Sequence, residues 1–275
     1  MVARTGEIFK TNDPMDQELI DTHTHVYLSQ FDHDRPEVVD RAAQAGVGRM
    51  LMPNIDSHTA GDLLKVARRF PGRCLPMMGL HPTSVKASWE TELDLIEKWF
   101  DRETFVAVGE SGIDLYWDKS YLDQQKTSLE RHIDWAIRFK LPLVLHSRNS
   151  LKELFDVLEA HRQKKLGGVF HCYPGGPEDA KKAIDLGFML GIGGVVTYKN
   201  SRMAEVVAAV GLKHIILETD APFLAPVPFR GKRNESAYLR HVAEKVAEIT
   251  GTSVDEVAQT TTANARRLFA LKPQP

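Results

Sequence analysis

Short, nearly unbroken apolar runs recur along the chain and alternate with segments of helical period. The runs predict strands at 19–23, 47–54, 74–81, 105–110, 142–146, 168–171, 188–193 and 215–220. Continuous apolar character, rather than alternation, fits parallel strands covered by helices on one side and packed inward on the other. In the first intervening segment Asp34 reads as an N-cap, Pro36 as a first-turn proline and Gly46 as a stop. Val38, Val39, Ala42 and Ala43 supply its apolar face. Similar patterns predict helices over 57–70, 88–100, 121–139, 150–161, 177–186, 201–210, 236–249 and 254–269. Eight strand–helix alternations in 275 residues argue for an α/β fold, a single-domain (β/α)8 TIM barrel over 19–270. A polar extension at 1–18 and a tail at 271–275 would flank it. A doubly wound open sheet competes, but no glycine-rich dinucleotide loop follows the first strand.

Composition narrows the class without choosing a function. Hydrophobic residues make up 43% and charged residues 26%, ordinary for a globular chain. A net charge of −2 supplies no global field for nucleic acid, so local basic residues would have to meet any polyanion. Cys74 and Cys172 form no CxxC pair and read as reduced, buried thiols, which points to the cytoplasm. Strand alternation points Cys172 away from its neighbour His171. Residues 1–18 carry charges throughout and lack the apolar region of a secretory signal. No apolar run is long enough for a bilayer, and nothing calls for a membrane or an obligate protein partner.

The candidate chemistry lies at the strand ends. In Asp21-Thr-His-Thr-His25 the two histidines fall on one face of an extended strand, where both can reach one cation at about 2 Å. Such a pair also arises by chance. Later strands, however, end on His81, Glu110, His146, His171 and Asp220. A single buried histidine is ordinarily a satisfied core residue. A structural role gives no reason to collect histidines at the same end of successive strands, and in a barrel that end carries the active site. Four imidazoles (His23, His25, His146, His171) with Glu110 and Asp220 exceed the needs of one four-coordinate ion. They predict two divalent cations, Mg, Mn or Zn, with a carboxylate bridging them. Ions held this way lower the pKa of bound water toward about 7, and hydrolysis is the reaction that uses the resulting nucleophile.

These motifs carry a resemblance. Asp21-Thr-His-Thr-His25, Gly79-Leu-His-Pro82, Gly109-Glu-Ser-Gly-Ile-Asp114, His146-Ser-Arg148, His171-Cys-Tyr173 and Glu218-Thr-Asp-Ala-Pro222 together resemble the TatD family of metal-dependent deoxyribonucleases. Arg230-Gly-Lys-Arg-Asn-Glu235 and Asn264-Ala-Arg-Arg-Leu-Phe269 extend the likeness, which runs in order from about 18 to 270. The resemblance implies a barrel of the amidohydrolase superfamily, divalent metals, and hydrolysis of DNA phosphodiesters, often from the 3′ end. It implies His23, His25, Glu110 and Asp220 as ligands of one metal and Glu110, His146 and His171 as ligands of the other. It also makes Asp220 the acceptor of the water's proton and turns Arg230 and Asn234 toward the substrate. Ser111 and Ser236 depart from the family, which more often has an aliphatic residue and a proline there. Neither is a ligand position.

Other residues have weaker claims. Arg148 would suit a substrate phosphate, against a reading as a solvated cation. His81 is expected to meet substrate or water, since the ions are already supplied. Asp114 would orient a ligand or cap its loop. Tyr116, Trp117 and Tyr173 could stack on unpaired bases or simply pack. The leading function is a DNA nuclease acting on single strands or 3′ ends. An amidohydrolase cleaving an amide, ester or lactone is the enzyme alternative, against which Arg148 and Arg230 weigh. A non-catalytic nucleic-acid-binding module fits neither the ligand set nor the net charge of −2.

Overall fold

The computed structural model describes residues 18–272. Among the described residues, eight strands alternate with helices: β1 (Leu19–Asp21), β2 (Val47–Pro53), β3 (Cys74–Met77), β4 (Val108–Asp114), β5 (Leu143–Arg148), β6 (Gly168–Phe170), β7 (Phe188–Ile192) and β8 (Ile215–Leu217). The helices are α1 (Arg35–Gln44), α2 (Ala60–Arg69), α3 (Trp89–Phe100), α4 (Leu122–Phe139), α5 (Leu151–Ala160), α6 (Pro177–Asp185), α7 (Met203–Val210), α8 (Leu239–Thr250) and α9 (Val254–Leu268). All strand pairs are parallel, in one arc of β1–β3 and another of β4–β8.

Backbone hydrogen bonds join the arcs at both seams. Between β3 and β4, Met78 N–H donates to Ala107 at 3.2 Å and Gly109 N–H to Met78 at 2.8 Å. Between β8 and β1, Thr22 N–H donates to Leu217 at 3.1 Å and Asp220 N–H to His23 at 2.8 Å. The ring is a (β/α)8 barrel, as the alternation predicts.

Its interior is filled by Ile20, Leu51, Met77, Ala107, Val144, Val169 and Ile216, with Ala265 and Phe269 of the C-terminal helical segment packed against them. Burying each larger apolar side chain contributes about 1.5–3 kcal/mol. Two residues beyond Val144 and Val169, on the same inward face, stand His146 and His171. The barrel core therefore forms the floor of the site. Crowding at this floor requires small residues. Gly109 has φ +154°, and a Cβ there would lie 2.7 Å from Val144.

Several boundaries differ from the sequence expectation. The fourth strand begins and ends later than predicted, over Val108–Asp114, with a register irregularity between Val108 and Ser111. The first and eighth strands stop early, at Asp21 and Leu217. There the buried Asp21 carboxylate accepts the Thr219 N–H at 2.9 Å and the Thr219 hydroxyl at 2.6 Å. That side-chain link replaces a longer ladder. Asp34 is the residue before α1, but its carboxylate makes no capping bond and is held instead by Arg233 and Arg41.

The extension expected at 1–18 lies outside the described residues except for Glu18, and the tail at 271–275 is described only to 272. Glu18 is fastened to α9: its carbonyl accepts the Thr262 hydroxyl at 2.7 Å and its carboxylate pairs with Arg266. Among the described residues, no helix is long and apolar enough to cross a membrane.

Candidate metal centre

Glu110 stands at the centre of the upper face, and its two oxygens look toward different imidazoles. Oε2 lies 3.1 Å from His23 Nε2 and 3.7 Å from His25 Nε2. Oε1 lies 3.0 Å from His146 Nδ1, 3.4 Å from His81 Nε2 and 3.7 Å from His171 Nε2. Asp220 Oδ1 faces His25, His23 and His171 at 3.5, 3.8 and 3.9 Å. Three triads have ligand atoms close enough for a shared cation: His23–His25–Asp220, His23–Glu110–His171 and His81–Glu110–His146. Among the described residues, the ion-pair partners of Glu110 and Asp220 are all histidines.

The outer nitrogens of His25, His146 and His171 each face a polar group. Tyr27 donates its hydroxyl to Pro53 O at 2.7 Å, so its oxygen accepts from His25 Nδ1 at 3.1 Å. His171 Nδ1 lies 3.0 Å from Glu218 Oε1, and His146 Nε2 lies 2.9 Å from Asp114 Oδ2. Partners of this kind fix the tautomer and turn a bare nitrogen inward. His23 is fully buried, and neither ring nitrogen has a hydrogen-bond partner among the described residues. In the neutral tautomers that Tyr27 and Asp114 set for His25 and His146, a lone pair meets a carboxylate oxygen, acceptor against acceptor. A cation between them resolves the conflict, and mixed imidazole and carboxylate donors fit divalent ions.

The electrostatics agree. Burial lowers the pKa of His23 and of His81, keeping both neutral. Burial also works to raise Glu110 and Asp220, but the surrounding imidazoles outweigh it and hold both carboxyls below their ordinary range. His171, against the effect of burial, is pushed up to about 10 by Glu218, Glu110 and Asp220. The centre favours positive charge.

His81 differs from the others. Its Nδ1 accepts the Thr83 N–H at 3.1 Å, which leaves the proton of the neutral ring on Nε2. It presents an N–H donor rather than a lone pair. Asp114 takes both roles expected of it, because Oδ1 also accepts the N–H groups of Tyr116 and Trp117 at 2.9 and 3.2 Å.

A cavity of about 990 Å³ opens above the centre, lined by Arg148, Trp117, Cys172, Tyr173 and Phe223 among others. Arg148 is exposed at its mouth, with its guanidinium 3.7 Å over the Tyr116 ring. Arg230 is absent from the lining and lies exposed over Tyr198 at 4.4 Å. Asn234 is turned inward rather than to the cavity: it is fully buried, and Nδ2 donates to Thr219 O at 2.8 Å and Phe223 O at 2.7 Å. It braces the loop that carries Asp220. Cys172 corrects the alternation argument, because β6 has ended before it and a left-handed φ of +41° turns it into the cavity wall. Tyr173 is buried.

Tyr27, Asp21 and Glu218 escaped the sequence reading as site residues. Their signal was available in part, since Asp21 and Glu218 lie within two residues of ligand-type side chains.

The description "TatD related DNase" belongs to a family that matches residues 20–270. The metal-dependent hydrolase YabD of Bacillus subtilis is 36% identical over 254 residues, covering 92% of this chain and 99% of the relative. The metal-dependent hydrolase YjjV of Escherichia coli K12 is 32% identical over 253 residues, covering 91% and 97%. The crystal structure of YjjV, described as a TatD homologue, matches with a TM-score of 0.87 over 92% of this chain and 98% of that one at 31% identity. A TatD-family hydrolase from Entamoeba histolytica shares the fold at 20% identity, with a TM-score of 0.77 over 93% and 99% of the two chains. All the strand ends that build the centre fall inside these matches, and the chain belongs to the TatD-related DNase family of metal-dependent hydrolases.

Proposed function

We propose that the protein is a deoxyribonuclease that hydrolyses DNA phosphodiester bonds from a 3′ end, using two divalent ions per chain drawn from Mg, Mn and Zn. The observation that carries this reading is the division of Glu110, one oxygen toward His23 and His25 and the other toward His146 and His171. His23, His25, Asp220 and Glu110 would hold one ion, and Glu110, His146 and His171 the other. Bound there, the ions supply an acidified water and charge neutralisation at the phosphate.

The chain's own groups do the rest. Asp220, held below the ordinary carboxyl range, is an ionised base at neutral pH and takes the attacking water's proton on its carboxylate. The water oxygen bonds to phosphorus as the bond to the leaving nucleotide oxygen breaks; that oxygen takes a proton from solvent, and Asp220 gives its own back to solvent. His81 directs Nε2–H at a phosphate oxygen, and Tyr27, Glu218 and Asp114 keep the ligand rings aimed inward.

The test is cleavage of labelled single strands with 3′- or 5′-blocked ends, across Mg, Mn and Zn, beside a panel of amides, esters and lactones. Shortening only from a free 3′ end, abolished by EDTA, is expected. Turnover of an amide or lactone with every oligonucleotide intact would replace the nuclease by an amidohydrolase.

A further inference from the structure

Two exposed aromatic surfaces border the same cavity from different walls. In the loop 115–121 after β4, Trp117 is 69% and Tyr116 53% exposed, their rings edge to face at 5.0 Å. The Arg148 guanidinium, arriving from the end of β5, covers Tyr116 at 3.7 Å and lies 5.5 Å from Trp117. In the loop after β8, Phe223 is 46% exposed and stands 6.1 Å from the His25 ring. Trp117, Arg148 and Phe223 all line the cavity.

Neither surface is a loose tip. Asp114 accepts the N–H groups of Tyr116 and Trp117 with one oxygen and meets His146 with the other. One carboxylate therefore sets the ring pair relative to a ligand of the centre. Phe223 is fixed in a similar way, because its carbonyl accepts from buried Asn234 and its N–H donates to Asp220 O at 2.8 Å. Large rings held open to water at fixed places gain nothing in folding, but they suit a flat ligand.

We infer that Trp117, with Tyr116 and Arg148 behind it, and Phe223 opposite are the surfaces that recognise the nucleotide by stacking on the faces of unpaired bases beside the scissile phosphate. The inference rests on the nuclease reading and adds the specificity-determining residues to it. Duplex DNA keeps base faces covered by neighbours, whereas an unpaired nucleotide offers a face to each wall. A cationic plane over Tyr116 favours a polyanion and strengthens the aromatic stack.

The experiment uses the full chain and two single-stranded oligonucleotides, one with bases throughout and one abasic at its terminal positions. Binding of cleavage-resistant phosphorothioate versions is read by fluorescence anisotropy, and cleavage of the ordinary versions by gel. The parent should favour the base-bearing strand by about ten-fold or more, as stacking on one to two rings provides. Trp117→Ala and Phe223→Ala should each bring that ratio toward unity, and Trp117→Phe should restore most of it. Base-dependent binding without cleavage keeps the stacking surfaces and removes the nuclease. Cleavage with the same ratio in parent and Trp117→Ala keeps the nuclease and removes the surfaces. A Trp117→Ala chain that changes its self-association in sedimentation while binding strands as before would make the patch a contact between copies, which also overturns the inference.

Discussion

Two clusters of charged side chains touch the loop after β8, and they are finished in different ways. In the outer cluster Arg233 binds both oxygens of Asp34 at 2.7 and 2.6 Å, while Arg41 binds Glu235 at 2.9 and 2.7 Å and Asp34 at 3.2 Å. Guanidinium and carboxylate balance, and the chain supplies both. In the inner cluster Glu110 and Asp220 are faced by imidazoles whose outer nitrogens serve Tyr27, Glu218 and Asp114. Neither carboxylate has a lysine or arginine partner among the described residues. The number of charged residues does not separate a fastening from a reaction centre here. What separates them is whether buried acceptors find their positive partner within the protein.

Glu110→Gln attacks that deficit most directly. Glutamine keeps the shape but removes the charge that faces both imidazole groups. Metal per chain should fall at both positions, and turnover of the phosphodiester should drop about 10³-fold or more, the scale of several kcal/mol of charge stabilisation. Metal analysis after dialysis reads the first and steady-state kinetics the second. Two ions retained tightly in this variant would remove Glu110 from the bridging position.

Asp220→Asn sharpens the difference between holding charge and moving a proton. Asp220 has φ +57°, a conformation asparagine also accepts, so the backbone should survive. The amide oxygen can still face an ion but is no base at neutral pH. Turnover at saturating metal should fall about 10²–10⁴-fold, with metal content reduced far less. Equal loss of both would make Asp220 a ligand only.

Smaller effects are expected one step outward. Glu218→Gln and Asp114→Asn leave every inward-facing nitrogen in place but weaken the hold on His171 and His146. Each should cost about 10–100-fold in metal affinity or activity. An unchanged metal titration in both would show that packing alone orients the rings.

The sequence was most legible where backbone geometry stayed regular. His146 and His171 follow the interior residues Val144 and Val169 at the strand period of two, so their inward direction could be read from parity. Glu110 and Asp220 could be recognised as strand-end carboxylates, but their aim could not be derived. Glu110 sits inside a register irregularity of β4, and Asp220 lies three residues past β8 in a left-handed turn. Cys172 went wrong for the same reason, since its φ of +41° breaks the alternation assumed for it. Asn234 and Arg230 illustrate a different limit. Polar residues in a long loop can face a ligand or brace the chain, and only three-dimensional partners distinguish buried Asn234 from exposed Arg230.

Asp34→Asn tests the self-sufficient cluster and should have the smallest effect on chemistry, since Asp34 touches no group of the metal centre. Arg233 is the main cause of the depressed Asp34 pKa, with burial opposing and Arg41 adding to the depression. A carboxyl whose folded pKa is depressed contributes stability above its unfolded value of about 3.9 and loses it as pH falls through the folded value. At about pH 7 the variant should be less stable by about 1–3 kcal/mol, the scale of a hydrogen bond to a charged group. The gap should narrow as pH drops below about 4, because the unfolded parent's Asp34 then takes a proton that the folded carboxylate, held by Arg233 and Arg41, does not. Urea unfolding of both proteins over that range, read as midpoint and slope, measures it. A gap that stayed constant down to about pH 2 would mean that the shape of the Asp34 side chain, and not its charge, fastens the loop.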